Sequence, residues 1–280
     1  MERKEIANIE LAKHCGVTEG TIRYWKKEKK SFYENAVKDY IASLEDSKEK
    51  ETRVVVVTNF KGGAGKSTLS DMIGHQTKDC VVFNIDIGAT ASKINSTKTY
   101  DYAEVYSEDS TIGTKEVLNE LKKDYNCIIV DTAGDATDEL IDILEQGDDF
   151  IIPFNTGKRA TEVTLNTVKT ILQSGLLHKG KHKIVFVLNN FNGKIEEVED
   201  EIISFEKEVD RIIKQHKPDN VEIEYTFTYL QSSNAIRTME RKQKSIEELY
   251  AENKLAYKVF KQRVNRLVSD IHEFLNLESK

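Results

Sequence analysis

Eight consecutive residues, Lys61-Gly62-Gly63-Ala64-Gly65-Lys66-Ser67-Thr68, carry the most concentrated chemistry in the chain. Small residues let successive backbone N–H groups converge on phosphate oxygens. A helix opening behind them would add its positive N-terminal end. In that setting Lys66 would reach the β- and γ-phosphates of a nucleotide, and Ser67 would hold Mg²⁺. The strict G-x-x-x-x-G-K-[ST] spacing is not met: the motif's first glycine would fall five positions before Gly65, where Phe60 stands, and the next position is Lys61. A lysine there has little purpose in a cradle that serves one chain alone. Two aspartates follow at the ends of apolar runs, Asp86 after VVFNI (81–85) and Asp131 closing CIIVD (127–131). A carboxylate at the C-terminal edge of a buried strand can reach Mg²⁺, usually through water. Thr132-Ala133-Gly134 comes next, with a glycine whose N–H can approach a γ-phosphate.

These groups need elements to position them. Short β-branched runs, VVVVT (54–58), VVFNI (81–85), CIIVD (127–131), DFIIP (149–153), KIVFVLN (183–189) and EIEYTFT (222–228), alternate with helical patterns at 66–78, 113–124, 160–175, 195–216 and 253–276. Continuous apolar runs are how buried parallel strands read. The alternation predicts an α/β fold, a parallel sheet with helices on both faces. Ahead of it, residues 31–50 place Phe32, Tyr33, Ala36, Val37, Tyr40, Ile41 and Leu44 at helical spacing, then run into a charged connector from Glu45 to Arg53. Two domains are therefore expected: a small all-α region, 1–50, and an α/β domain, 51–280.

The string KGGAGKS resembles the deviant Walker A motif, KGGxGK[ST], of the ParA/MinD superfamily of P-loop ATPases. Residues 51–280 can be laid on that family. The resemblance implies a P-loop NTPase sheet, with ATP and Mg²⁺ held by Gly62, Gly63, Ala64, Gly65, Lys66, Ser67 and Thr68. It implies that Lys61 crosses a dimer interface to the partner's nucleotide, that Asp86 orients the attacking water, and that Asp131 and Ser67 serve the metal. Catalysis would then rest on Lys61, Lys66, Asp86 and Asp131. In the second motif Asn84 stands where an aspartate is usual, and an amide supplies no negative charge to a magnesium shell. Ile87-Gly88 resembles the MinD-like variant of that motif, while Ala91-Ser92 is more like ParA. Asn189 is near where the family places a base-reading residue; a turn-forming role for the Asn-Asn pair is an equal alternative. Pro153 matches a structural proline of the family.

Residues 8–27, NIELAKHCGVTEGTIRYWKK, carry a helix-turn-helix pattern. Ala12 is small where two helices would cross, Gly16 supplies a permissive turn, and Thr18 can cap the second helix. Leu11, Val17, Ile22 and Trp25 are the apolar positions. The string resembles the helix-turn-helix of MerR-type regulators. Its second helix would present Glu19, Thr21, Arg23, Tyr24, Lys26 and Lys27 to the major groove and the DNA backbone. The helix at 31–45 would pack on this motif or supply a dimer contact.

The net charge is 41 − 48 = −7, but it is unevenly spread. Residues 1–30 carry 8 basic and 5 acidic side chains, and residues 231–280 carry 10 and 7, each end +3. The body between them carries 23 and 36, net −13. Segment 232–249 resembles a late ParA segment, and in ParA relatives basic residues in this region bind DNA without sequence preference. Arg237, Arg241, Lys242, Lys258, Lys261 and Arg266 are the candidate contacts here, through phosphate neutralisation. The tail stripe Leu267, Ile271, Phe274 and Leu275 faces away from Asp270, Glu273 and Glu278. Acidic groups suit anionic lipid poorly, so packing onto the sheet is expected instead. No apolar run is long enough to cross a membrane. No signal peptide is evident. Cys15, Cys80 and Cys127 are too scattered for a disulfide framework or a thiolate metal site. A cytoplasmic, nucleoid-associated protein is expected.

The resemblance implies a ParA-type partition ATPase: an ATP-bound sandwich homodimer that binds DNA, hydrolyses slowly when a ParB-like partner stimulates it, and segregates plasmid or other mobile DNA. The N-terminal motif implies site-specific docking or operon autoregulation. The alternatives are a MinD-like membrane-positioned ATPase and an ATP-responsive transcriptional regulator with weak hydrolysis.

Overall fold

The apolar runs become the strands of a sheet in a computed structural model that describes residues 8–46, 52–86, 97–101, 113–134, 138–173, 177, 180–191 and 195–280. Contacts divide the chain into two compact units, 1–51 and 52–280.

In the second unit the strands are β1 (Arg53–Val57), β2 (Cys80–Asn84), β3 (Thr99–Asp101), β4 (Cys127–Asp131), β5 (Asp149–Phe154), β6 (Gly180–Phe191) and β7 (Val221–Gln231). They form one sheet in the order β3-β2-β4-β1-β5-β6-β7, and every pairing is parallel. Period-two alternation splits each central strand between two cores. Val54, Val56, Val81, Phe83, Ile128 and Val130 face one side, with Leu118, Leu140, Val168 and Phe205 of the covering helices. Val55, Val57, Val82 and Ile129 face the other, with Leu69, Ile73, Met239, Leu249, Val264 and Leu267. The first face is covered by α5 (Thr114–Asp124), α6 (Asp138–Leu144), α7 (Lys158–Gln173) and α8 (Glu199–His216), the second by α4 (Lys66–Gln76), α9 (Asn234–Lys242), α10 (Ile246–Glu252) and α11 (Lys254–Leu275). Both faces are apolar because both are covered, which is why the strands lack a polar alternation.

Several elements differ from the reading of the sequence. β3 is a three-residue edge strand, Thr-Tyr-Asp, half-buried throughout, and so has no apolar run to announce it. The run 222–228 is part of an 11-residue edge strand that is mostly half-exposed, rather than a buried one. Helices α6, α9 and α10 are seven to nine residues long, too short to show a clear helical period. The tail packs as expected: Leu267, Ile271 and Leu275 are buried, and the segment after α11 bridges back to α4, with Ser279 paired to Thr77 and Lys280 N–H donating to Gln76 O at 2.9 Å. Among the described residues no helix is long and apolar enough to cross a membrane.

The first unit holds α1 (Asn8–His14), α2 (Glu19–Glu28) and α3 (Lys30–Asp46). Gly16 adopts φ +63° in the turn between α1 and α2, and the Thr18 side chain caps α2 by accepting from Thr21 N–H at 3.2 Å. Leu11, Ala12, Ile22 and Ala36 are buried together, with Val17, Trp25, Tyr33, Val37 and Tyr40 packed around them. The helix at 31–45 therefore covers the helical pair within its own chain. Most of the charged connector lies outside the described residues.

Candidate functional site

The C-terminal ends of β1, β2 and β4 lie in one row, because Asp131 is the register partner of both Val57 and Asn84. β1 sits between β4 and β5, where the chain turns from one half of the sheet to the other. Ligands of open α/β sheets bind in the crevice at such a switch point. The glycine-rich loop emerges there from β1 and runs into α4.

Its base is tied down by groups the sequence reading missed. Asn59, fully buried, donates through Nδ2 to Pro153 O at 2.7 Å and to Thr164 Oγ1 at 2.9 Å, and its Oδ1 accepts from Lys61 N–H at 2.9 Å. Phe60 N–H donates to Thr167 Oγ1 at 3.1 Å. A polar residue directly after a buried strand was the only available signal. Gly63 and Gly65 have φ of +72° and +97°, values L side chains rarely adopt. A Cβ on Gly65 would lie 1.9 Å from Asn189 Nδ2. That amide donates to Ala64 O at 2.9 Å, so Asn189 supports the loop from β6, and its buried Oδ1 has no hydrogen-bond partner among the described residues. Gly62 and Gly63 have open space where a Cβ would be.

Lys66 opens α4 and is buried, with Nζ 3.5 Å from Lys61 O. Asp131 is also buried, and its neighbours are Ser67, Ser70, Lys66 and Asp86. Burial raises its pKa from the ordinary 3.8 to about 6, with the Asp86 charge adding to the rise; the Ser67 hydrogen bond, the Lys66 charge and the Ser70 hydrogen bond oppose it. A carboxylate held this way is a strained anion, and a cation at the site would relieve it. The Ser67 hydroxyl and the Asp131 carboxylate are hard oxygen donors side by side, which fits Mg²⁺ completed by water and phosphate. Gly134 approaches the loop from the end of β4; a Cβ there would lie 3.2 Å from Gly62 N. Asn84 donates to Asp101 Oδ1 at 2.6 Å and accepts from Asp86 N–H at 3.1 Å, so the amide shapes the turn that presents Asp86. Ile87-Gly88 and Ala91-Ser92 lie outside the described residues. Thr68, in the first turn of α4, donates through Oγ1 to Glu240 Oε1 of α9 at 3.0 Å.

Solved structures share this fold. A single-residue variant of McdA from Cyanothece, in complex with ATP, superposes with a TM-score of 0.56 at 15% identity, over 81% of this chain and 98% of that one. The cell division ATPase MinD of Pyrococcus furiosus gives 0.53 at 15% identity, over 79% and 98%. MinD from Pyrococcus horikoshii, complexed with Mg-ADP, gives 0.52 at 16% identity, over 79% and 96%. The chain therefore has the α/β fold of these McdA and MinD structures. No family model matches the chain, and no curated protein matches it in sequence. Within this fold, Lys61, Gly62–Thr68, Asp86, Asp131 and Asn189 converge at the C-terminal ends of the strands.

The remaining candidates lie elsewhere. On α9, Arg237 and Arg241 are exposed, while Lys242 shares Glu252 with Lys244 and is 2.8 Å from it. On α11, Lys258 is exposed, Lys261 stands 4.7 Å over the Tyr250 ring, and Arg266 lines a cleft of about 270 Å³ with Arg263, Tyr229 and Gln231. In the first unit Arg23 pairs with Glu19 at 2.5 Å, the Thr21 hydroxyl meets that of Thr18 at 2.9 Å, and Lys26 lies 5.6 Å over Tyr33. Tyr24 and Lys27 are exposed.

Proposed function

We propose that the chain is a Mg-ATP-dependent switch of the ParA type: an ATPase whose nucleotide state controls a dimer that holds DNA. The observation that carries the nucleotide reading is the single constellation of the αL glycines, buried Lys66, Ser67 and the ionisation-strained Asp131 at the switch point of the sheet. Bound Mg-ATP would supply the phosphoanhydride and the metal charge. Backbone N–H groups of 62–68 and Lys66 would hold the phosphates. Asp131 and Ser67 would hold the metal's water shell, and Asp86 would orient the attacking water. Lys61, half-buried beside the exposed Gly62 and Gly63, would reach a second copy's nucleotide. Asn189 would buttress the loop through its Nδ2, which donates to Ala64 O.

DNA is favoured over membrane as the surface controlled. Leu267, Ile271 and Leu275 of the last helix's apolar stripe are buried in the core, so they are unavailable to lipid. The exposed cations of α9 and α11 suit phosphates. The first unit would add a site-specific reader through α2. A ParB-like activator, and the partition of plasmid or other mobile DNA, follow from the resemblance of the loop and the 232–249 segment.

Co-sedimentation of the full chain with duplex DNA and with anionic vesicles, under ADP, ATP and a non-hydrolysable ATP analogue, tests this. Retention on DNA with ATP and the analogue but not ADP is expected. ATP-dependent vesicle retention without DNA binding would favour the MinD-like alternative, and DNA binding indifferent to nucleotide would sink the switch.

A further inference from the structure

The first turn of α4 already has an anion. Glu240 reaches across from α9 and accepts the Thr68 hydroxyl at 3.0 Å. That turn is the positive end of the helix, and any phosphate in the loop must share it. Two anions at one helix terminus repel each other.

α9 is lightly attached. Of its nine residues only Ala235 and Met239 are buried. It ends at Gln243, a non-glycine residue with φ +52°, a conformation that carries some backbone strain. Elements with few buried apolar contacts open at low free energy. The same helix displays Arg237 and Arg241 to solvent.

We propose that Glu240 is a nucleotide-sensing residue: phosphate arriving at the first turn of α4 displaces its carboxylate from Thr68 and releases α9, with its arginines, for contact with DNA. The inference rests on the ATPase reading above. It makes Glu240 a brake on nucleotide binding and a link between the loop and the basic helix. Glu240 is exposed, so water and salt weaken the repulsion; an effect of about three- to tenfold on nucleotide affinity is expected at low salt.

The test compares the full chain with Glu240→Gln, which keeps an acceptor and loses the charge, and Glu240→Ala, which loses both. Mg-ATP and Mg-ADP affinities are titrated at about 0.05 M and about 0.5 M salt, and duplex-DNA binding is measured without nucleotide. Both variants should bind both nucleotides about three- to tenfold tighter at low salt, the gain shrinking at high salt. Glu240→Ala should also raise nucleotide-free DNA binding. Unchanged or weaker nucleotide binding, or a gain indifferent to salt, overturns the inference while leaving the ATPase reading intact. Tighter nucleotide binding with unchanged DNA binding overturns the coupling to α9. If the wild-type chain binds neither nucleotide, the ATPase reading falls and the inference with it.

Discussion

Asp131→Asn should make the nucleotide-free protein more stable while removing its response to magnesium. Asp131 is almost wholly buried, and its pKa stands near 6 instead of 3.8. The folded state therefore holds a proton more tightly than the unfolded state does. Its contribution to stability is most favourable below about pH 4, declines between about 4 and 6, and above 6 is a constant penalty. A displacement of that size corresponds to ~3 kcal/mol. Relaxation and water entry lower the realised figure, so a gain of ~1–3 kcal/mol is expected for the amide at about pH 7.5. For a domain of this length that is roughly 3–10 °C in melting temperature. Asparagine keeps an oxygen for the Ser67 and Ser70 hydroxyls, so the volume and most hydrogen bonds survive. Scanning calorimetry of both proteins without ligand, from about pH 4 to 8, reads the gain directly. It should fade as pH falls through about 6 and vanish near 4. Adding Mg-ATP should reverse the order, because the wild type gains binding free energy that the variant cannot. A variant less stable than wild type at about pH 7.5, a gain that persists at about pH 4, or equal stabilisation of both proteins by Mg-ATP would refute the reasoning.

Other outcomes follow from the same geometry. Lys66→Ala should abolish nucleotide binding in a titration while leaving the circular dichroism spectrum intact. Gly65→Ala combines φ +97° with a contact of 1.9 Å on Asn189, so the loop must shift; nucleotide affinity should fall at least tenfold, measured by fluorescence titration. Lys61→Ala should keep much of the ATP affinity yet lose ATP-dependent dimerisation in analytical ultracentrifugation. Removing residues 1–51 should abolish preference for a specific DNA site and leave ATP-dependent non-specific retention; loss of both together would contradict two separate DNA surfaces.

Much of this protein is legible in its one-dimensional pattern. Six of the seven described strands are legible as β-rich runs, and five of these are continuous apolar runs because both faces of the sheet are covered, which erases polar alternation. The phosphate loop reads directly because its requirements, small residues and positive φ, are local properties of a few consecutive residues. For the same reason Gly16 and Thr18 announce the turn between α1 and α2. Elements with little buried area stay silent. β3 has three half-buried residues, and α9 buries two side chains, so neither leaves a hydrophobic period.

Tertiary structure alone decided the rest. The parallel register of β1, β2 and β4 sets Asp131 beside Ser67 and Asp86, and burial there moves its ionisation to about 6. Asn189 meets Ala64 across 125 positions of sequence, and Glu240 meets Thr68 across 172. Asn84, an amide where an aspartate is usual in the family it resembles, acquires its role only from Asp101 on the neighbouring strand. Residue type and local spacing specify what each group can do; desolvation and proximity, which specify what it does, exist only once distant segments are packed together.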